Sequence, residues 1–286
     1  MIRVGTRGSA LALAQARWVA ERIDADTELV TITAEGPVGD KSRWVSALER
    51  ALLDDQIDVA VHSAKDVPAE IPPGLELVAI PARADPRDAI CGARSLAALP
   101  SGARVGTSSL RRAAQLRAFR EDVEIVAVRG NVDTRLRKLA GGECDALVIA
   151  LAGLQRLGRE AEVGGVLDDL VPAAGQGALA LEARPGVIAA EALARLNDAQ
   201  AAACVRTERA LTRALGASCN TPVGAYARPV GDEVELRAWV GLADGSVWIR
   251  DRARGAVGEV GRVVAERLIA AGARELLRDA KRVLAL

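Results

Sequence analysis

Val4-Gly5-Thr6-Arg7-Gly8-Ser9 opens the chain, and Val105-Gly106-Thr107-Ser108-Ser109 repeats its pattern in the second hundred residues. In each copy a short strand runs through a turn of small residues toward a helix, for which Ser9 is a candidate N-cap. A strand, a turn and a helix that recur in this way predict two related domains.

Strands and helices alternate around these two segments. The residue pattern predicts strands over 2–6, 29–34, 57–61, 75–80, 104–107, 123–128 and 145–150. It predicts helices from Ser9 to Ile23, around 44–52, and over 109–119 and 132–140. Buried apolar strands separated by helices indicate parallel α/β sheets.

The segment after residue 196 has a different character. A helix is predicted over 198–215, and 233–240 alternates as a half-exposed strand. Asp244-Gly245 is a hairpin signal before a strand over 247–250, and 258–284 has a helical pattern. These features predict a small α+β domain with an antiparallel sheet.

The composition is that of a globular protein of two or three domains. The chain has 286 residues and a formal net charge of zero, which gives no indication of a nucleic-acid or membrane-surface binder. No apolar run reaches the length of a membrane span. Met1 enters a strand-like segment without a basic leader, so we expect a cytoplasmic protein.

The four cysteines lie far apart, and His62 is the only histidine. This set is unsuited to a structural zinc site, and we expect no metal. Cys91, Cys144 and Cys204 have apolar neighbours and are interpreted as buried hydrophobic residues. Cys219 differs, because it lies in the loop-like segment 216–222.

Arginine accompanies three predicted strand-end turns. Ligands of α/β sheets bind at the carboxyl ends of the strands, where helix N-termini favour anions. Two-point binding by arginine favours carboxylate or phosphate, so the pattern predicts a polyanionic ligand. Solvated surface charge is the alternative interpretation. The residues concerned are Arg7 with Ser9, Ser109 with Arg111 and Arg112, and Arg129 with Gly130 and Arg135.

Nucleotide phosphate is poorly supported as that anion. The chain has no G-x-x-x-x-G-K-[ST] segment, which excludes a nucleotide P-loop. Gly175-Gln176-Gly177-Ala178-Leu179-Ala180 matches the dinucleotide pattern G-x-G-x-x-[GA]. That pattern must open a helix after a strand, whereas 178–182 is better interpreted as a strand.

Val61-His62-Ser63-Ala64-Lys65-Asp66-Val67-Pro68 follows a predicted buried strand. This position places Lys65 and Asp66 at the cleft, with a simple loop charge pair as the alternative interpretation. A Ser–His nucleophile is disfavoured, because the adjacent His62 and Ser63 would lie on opposite faces of the sheet.

Six ordered blocks and the cysteine loop resemble the hydroxymethylbilane synthases (porphobilinogen deaminases) over nearly the whole chain. Any one block would be weak evidence, whereas six in the same order are highly specific. The blocks are TRGSALAL (6–13), VHSAKDVP (61–68), DPRDA (85–89), GTSSLRR (106–112), RGNVDTRL (129–136) and AGQGA (174–178), and Cys219 with Pro222 and Gly224 completes the set.

The resemblance implies an α/β fold of two domains similar to periplasmic binding proteins, followed by a small C-terminal α+β domain. The implied first domain comprises 1–81 with 178–196, the second 82–177 and the third 197–286. The third would carry a dipyrromethane cofactor attached to Cys219 by a thioether. The acetates and propionates of its pyrrole rings would be the predicted polyanion.

The resemblance also implies an activity, in which porphobilinogen is deaminated and polymerised on the dipyrromethane and hydroxymethylbilane is released. Porphobilinogen is the implied partner, with no nucleic acid and no membrane, and a monomer is expected. Asp66 corresponds to the catalytic aspartate. The implied cofactor ligands besides Cys219 are Ser63, Lys65, Thr107, Ser109, Arg111, Arg112, Arg129 and Gly130. The implied substrate ligands are Arg7, Ser9, Lys41, Trp44, Arg135, Arg156 and Gln176.

The chain departs from the family pattern at two places. A T-x-G-D segment, a longer loop and a G-G-K-G-L-F-like stretch are shortened here to 33–44, where Lys41 matches the lysine and Trp44 replaces the phenylalanine. Ala217 and Ser218 stand where two glycines usually precede the cysteine. A non-catalytic solute-binding or effector-sensing module and a nucleotide-dependent enzyme are the alternative functions.

Overall fold

The computed structural model describes residues 1–33, 42–187, 189–218 and 220–284, without the side chains of 42–44 and 281–284. It contains two five-stranded sheets and one three-stranded sheet. Each sheet with its helices is called a unit, and the units are numbered in the order in which the chain enters them. Within these ranges no helix is long and apolar enough to cross a bilayer.

The first unit is a mixed sheet with three helices. Its strands are β1 (Ile2–Thr6), β2 (Thr27–Thr31), β3 (Val59–Ser63), β4 (Glu76–Ala79) and β10 (Leu179–Ala183). Its helices are α1 (Ala10–Ala20), α2 (Ser42–Leu53) and α6 (Ala190–Ala194). The strand order is β2-β1-β3-β10-β4, with β1 parallel to β2 and β3 and β10 antiparallel to β3 and β4.

The second unit repeats this arrangement. Its strands are β5 (Asp88–Cys91), β6 (Arg104–Gly106), β7 (Glu124–Val126), β8 (Ala146–Ala150) and β9 (Gly165–Leu167). Its helices are α3 (Leu110–Phe119), α4 (Val132–Ala140) and α5 (Leu151–Gln155). The order β7-β6-β8-β5-β9 places β6 where the first sheet has β1, and β5 where it has β10. The predicted relation between the two units is confirmed.

The third unit is an antiparallel sheet covered by helices. Its strands are β11 (Val223–Val230), β12 (Glu233–Gly241) and β13 (Trp248–Gly255), in that order. Its helices are α7 (Ala199–Ala214), α8 (Val260–Ala270) and α9 (Ala273–Leu284). Leu211, Leu236 and Val264 are fully buried where helices and sheet meet. The fold is therefore two α/β units of the same topology with a small C-terminal α+β unit.

The repeated segments start their helices in the same way. Ser9 Oγ accepts a hydrogen bond from Ala12 N at 3.3 Å, and Ser109 Oγ accepts one from Arg112 N at 3.4 Å. Each serine satisfies a backbone N–H that a helix start leaves without an intrahelical acceptor. The predicted N-cap at Ser9 is confirmed, and α1 ends at Ala20, earlier than predicted.

Several predictions about the elements were wrong. Both five-stranded sheets are mixed rather than parallel, because β10 and β5 run antiparallel to their neighbours. β5 and β9 were not predicted, since strands of four and three residues show little periodicity. β11 was missed because Pro229 interrupts its pattern. The predicted C-terminal helix is divided at Gly272, where φ is +97°.

The three units meet at one buried carboxylate, Glu208 of α7. Two nitrogens of Arg83 donate to it at 2.7 and 3.2 Å, and Gly175 N donates at 2.6 Å. Ala227 N of β11 donates to it at 2.7 Å. Arg83 and Gly175 lie on the two connections between the first and second units, so Glu208 links the third unit to both.

Candidate functional site

A single 3₁₀ turn, Ala64–Asp66, follows β3 and carries Lys65 and Asp66. Ala64 N donates to Ala178 O at 3.0 Å, which extends the pairing of β3 with β10 into the turn. Gly175 lies against the other side with a φ of +74°, and a Cβ here would be 2.9 Å from Lys65 N. Strand pairing and a close approach that only glycine permits therefore fix the turn.

Asp66 lines a cavity of about 60 Å³ in the first unit. Arg7, Ser9 and Ser63, which the resemblance implied as ligands, line the same cavity. Ser63 Oγ is held by Gln15, whose Nε2 lies 3.0 Å away. The structure therefore brings a carboxylate, a guanidinium and two hydroxyl groups together at one place.

The corresponding turn of the second unit directs two arginines into the protein interior. Arg111 and Arg112, in the first turn of α3, are only 4% and 5% exposed. Between them lies Asp88, which is fully buried and accepts from Arg111 Nη1 and Arg112 Nη2, each at 2.8 Å. Thr107 is also buried, and its Oγ1 accepts from Ser109 N at 3.2 Å. Two of the predicted ligands of this turn, Arg111 and Arg112, thus contact one internal carboxylate.

This cluster holds more positive than negative charge. Burial alone would raise the pKa of Asp88, but Arg111 and Arg112 outweigh burial and hold that pKa well below its usual range. Two guanidinium groups therefore share one carboxylate. Arg111 Nε has no hydrogen-bond acceptor within the described part of the chain. Because buried cations without matching anions are costly, the cluster is suited to an anionic ligand.

Gln176 connects the cluster with the turn of the first unit. Its Oε1 accepts from Lys65 Nζ at 3.2 Å and from Arg112 Nη2 at 3.3 Å. Its Nε2 donates to Asp88 at 2.7 Å and to Pro86 O at 2.6 Å. One buried amide thus joins groups of both units. The segment 175–180 leads into β10 and not into a helix, which excludes the dinucleotide interpretation.

Two further arginines are partly buried and bonded to backbone carbonyls. Arg156 Nη2 donates to Gly177 O at 2.7 Å, and burial lowers the pKa of Arg156 to about 10. Arg135 Nε donates to Gly130 O at 2.8 Å. Burial, followed by repulsion from Arg112, lowers the pKa of Arg135. These groups add positive charge, whereas Arg129 is exposed on the surface.

Three predicted site residues are not placed by the structure. Cys219 and Lys41 lie outside the described residues, and Trp44 is described only as part of the backbone of α2. Within the described ranges, no group of three or more His, Cys, Asp or Glu side chains is suited to a metal ion. The remaining cysteines are buried, as predicted: Cys91, Cys144 and Cys204.

Asp88 is the central residue that sequence reasoning missed. It belongs to the DPRDA block, but no residue of that block was predicted as a ligand. The available signal was a carboxylate directly before the apolar residues Ala89 and Ile90. A charged residue in a buried strand requires buried partners of opposite charge, and here Arg111 and Arg112 of α3 are those partners.

Comparison with known proteins identifies the family. A model described as "Porphobilinogen deaminase, dipyromethane cofactor binding domain" matches residues 2–192, and "Porphobilinogen deaminase, C-terminal domain" matches residues 202–270. Porphobilinogen deaminases of Deinococcus deserti, Roseiflexus sp. (strain RS-1) and Thiobacillus denitrificans are each 44% identical to this chain. These alignments cover 98%, 96% and 96% of this chain and 99%, 97% and 97% of the relatives. The chain therefore belongs to the porphobilinogen deaminase family.

Proposed function

We propose that the Asp66 cavity and the buried arginine cluster together form the active site of this porphobilinogen deaminase. The enzyme is a transferase that deaminates porphobilinogen and joins four molecules head to tail on a covalently bound dipyrromethane, releasing hydroxymethylbilane for tetrapyrrole biosynthesis. The observation that carries the proposed site is a carboxylate at the end of β3, in the same turn as Lys65, which Gln176 connects to a cluster with surplus positive charge.

The residues present fit a dipyrromethane. Each of its rings bears an acetate and a propionate, and the surplus charge of Arg111 and Arg112 over Asp88 matches such a polycarboxylate. The Nε of Arg111 is a buried donor that a carboxylate would satisfy. When bound, the dipyrromethane supplies the pyrrole carbon to which porphobilinogen is added. The other residues proposed to hold it are Ser63, Lys65, Thr107, Ser109, Arg129 and Gly130.

Asp66 is the proposed catalytic residue. Arg7 lines the same cavity, and Lys65 belongs to the same turn. Nearby cations favour the ionised form of a carboxylate. A fixed anion stabilises positive charge as it develops on a pyrrole nitrogen, and it can accept or return a proton. The residues proposed to orient porphobilinogen are Arg7, Ser9, Lys41, Trp44, Arg135, Arg156 and Gln176.

Cys219 is the proposed attachment point. Thioether formation requires an accessible thiol that can ionise. Burial raises the pKa of Cys91 and Cys204 to about 11 and also raises the pKa of Cys144. Elimination among four cysteines and the match of the 219–224 segment to the family therefore support Cys219.

The domain bounds are proposed at 1–81 with 178–196, 82–177 and 197–286. Sheet membership supports this division, because the second sheet uses strands within 88–167 and β10 returns the chain to the first sheet at Leu179. We also propose that the enzyme acts as a cytoplasmic monomer without nucleic acid. The formal net charge of zero supports the last point.

Intact-protein mass tests the proposed function. The wild-type protein should carry a dipyrromethane adduct, and Cys219→Ser should have the cofactor-free mass and no turnover of porphobilinogen. The matched variants Cys91→Ser, Cys144→Ser and Cys204→Ser should keep the adduct. An adduct that survives Cys219→Ser would overturn the attachment point. Wild-type protein with neither adduct nor turnover would favour the solute-binding alternative.

A further inference from the structure

The first unit contains one buried acid–base pair outside the proposed ligands. His62, the only histidine of the chain, and Glu182 have side chains that are 3% and 0% exposed. His62 Nε2 lies 2.9 Å from Glu182 Oε2, although the approach lacks the direction of a well-formed hydrogen bond. A bare imidazole nitrogen and a carboxylate oxygen both present lone pairs and repel at this distance. A contact at this distance therefore requires a proton on one of the two atoms.

The pair joins two strands directly below the Ala64–Asp66 turn. On β10, Ala180 pairs with His62 and Glu182 pairs with Ala60, so His62 and Glu182 are diagonal neighbours on one face of the sheet. His62 lines the same cavity as Asp66. Only Ser63 separates His62 from the turn. A contact that holds the imidazole therefore restrains the strand end from which the turn starts.

Glu49 and Arg209 are further ionisable neighbours of this pair. Glu49 of α2 is a second buried carboxyl group, whose pKa is raised by burial and then by Glu182, and lowered by His62. A raised pKa favours the neutral form of Glu49. Arg209 of α7 attracts Glu182 electrostatically. His62 is the group in direct contact with that carboxylate.

We propose that His62 is a positioning residue, with an N–H on Nε2 that faces Glu182, and that it fixes the end of β3 and thereby the placement of Lys65 and Asp66. This role rests on the proposed function, since His62 acts through the catalytic carboxylate. A buried polar contact that spans two strands is well suited to specify one geometry, because its partners are shielded from water.

Substitutions of His62 test the role through kcat, measured per dipyrromethane-loaded enzyme counted by intact mass. His62→Leu removes the N–H that faces Glu182, whereas His62→Gln retains a donor. Misplacement of a catalytic group can cost about 10²-fold in rate. His62→Leu should therefore lower kcat by that order with little change in KM for porphobilinogen, and His62→Gln should restore most of the loss.

A matched control lies at the other end of β3. Asp58 precedes the strand and pairs with Arg3 of β1 at 2.7 Å. Asp58→Asn also breaks an ion pair of the first unit, and it should lower Tm without lowering kcat. If Asp58→Asn and His62→Leu lowered kcat equally, the effect would be general destabilisation and the positioning role would be overturned.

The single histidine provides a readout that requires neither turnover nor a stable His62 variant. ¹⁵N-histidine labelling gives one pair of ring nitrogen signals, because the chain has no other histidine. The wild-type holoenzyme should show a protonated Nε2, and Glu182→Gln should shift its signal while Asp58→Asn leaves it in place. A bare Nε2 in the wild-type protein would overturn the proposal.

Asp66→Asn, assayed alongside, separates this proposal from the proposed function. Normal turnover of Asp66→Asn contradicts the proposed function. An inactive Asp66→Asn together with wild-type kcat in His62→Leu contradicts the positioning role alone.

Discussion

The strand-end turns of the first and second units share a backbone and differ in chemistry. β1 and β6 occupy the same place in their sheets, and each leads to a serine-capped helix. In the first unit Arg7 lines a cavity with Asp66, whereas in the second Arg111 and Arg112 contact the buried Asp88. The two units thus share a backbone scaffold, and their different charged residues give each unit its own chemistry.

The antiparallel strand of each five-stranded sheet shows the same contrast. Glu182 on β10 and Asp88 on β5 are both fully buried carboxylates. Asp88 pairs with Ala150 at the carboxyl end of β8, whereas Glu182 pairs with Ala60, deeper in its sheet. Asp88 can therefore hold arginines at the ligand-binding edge, while Glu182 contacts a histidine below it. We infer that the second unit mainly binds and the first unit mainly catalyses.

The largest effect on turnover should come from substituting Asp66 in the first unit. Asp66→Asn keeps the size of the side chain but removes the charge, so turnover should be almost abolished in a folded protein. Asp66→Glu keeps the charge but displaces it, which should cost about 10²-fold in kcat. Steady-state assays on dipyrromethane-loaded protein check this ranking. Near-normal turnover of fully loaded Asp66→Asn would place the catalytic charge elsewhere.

The largest effect on stability should come from substituting Asp88, the buried carboxylate of the second unit. Asp88→Asn leaves Arg111 and Arg112 buried without a counter-charge, which should lower the free energy of unfolding by about 3–5 kcal/mol. Asp145→Asn is the matched control, because Asp145 forms an exposed pair with Arg104 at 2.8 Å. Such a pair contributes about 0–1 kcal/mol. Equal losses in urea unfolding would show that the Asp88 cluster has no special role.

Asp88 should also make the free energy of unfolding depend on pH. The pKa of Asp88 is lowered in the folded protein, so its contribution is fully present above the ordinary aspartate pKa of about 3.9. That contribution is lost as pH falls further, through the folded value. Unfolding free energies measured from neutral to acid pH should therefore fall less steeply in Asp88→Asn than in wild type. Parallel curves would contradict the assignment.

A smaller effect is expected from substituting Gly175, which lies against the Ala64–Asp66 turn. Gly175→Ala places a Cβ 2.9 Å from the backbone of Ala64 and Lys65 at a φ of +74°. Gly186→Ala is the control, because Gly186 has a φ of +71° and nothing within 4 Å of its Cβ position. Backbone strain should cost both variants about 1–2 kcal/mol of stability, and the clash should make the loss larger in Gly175→Ala. Only Gly175→Ala should also lower kcat, and unchanged kcat would show that the contact does not position the turn.

The smallest effect is expected from substituting Arg156, which should weaken the binding of porphobilinogen without destabilising the protein. Burial lowers the pKa of Arg156 to about 10, so its charge costs folding free energy at every pH below that value. Arg156→Gln should leave unfolding free energy unchanged or raise it by less than about 1 kcal/mol, while KM for porphobilinogen rises. Arg159→Gln is the control, because Arg159 pairs with Glu162 at the surface at 3.1 Å. Equal KM values in the two variants would count against Arg156 as a ligand.

Local sequence features predicted the parts of the site that depend on single elements. The segment 4–9 predicted β1, its turn and the Ser9 cap, and 61–68 placed Asp66 at a strand end. Each of these depends on neighbouring residues, through periodicity and capping. The repeated V-G-T turn also predicted the relation between the two units, because a topology repeats when the elements that build it repeat.

Long-range pairing explains what the sequence did not show. Asp88 meets Arg111 and Arg112 only because β5 crosses the second sheet antiparallel to β8. Gln176 was predicted as a substrate ligand, but its contacts with Lys65 and Arg112 depend on the return of the chain to the first unit. No local pattern encodes either approach. Of the two strands that make these sheets mixed, β5 was overlooked, whereas a strand was predicted at the position of β10.

The division between a binding unit and a catalytic unit is tested most directly by intact mass on two variants. Asp66→Asn and Arg112→Gln are prepared cofactor-free, incubated with hydroxymethylbilane to supply the primer, and then given porphobilinogen. We predict that Asp66→Asn acquires the covalent adduct but shows no further additions, whereas Arg112→Gln remains largely at the cofactor-free mass. The reverse pattern, with elongation by Asp66→Asn and normal adduct content in Arg112→Gln, would contradict the account.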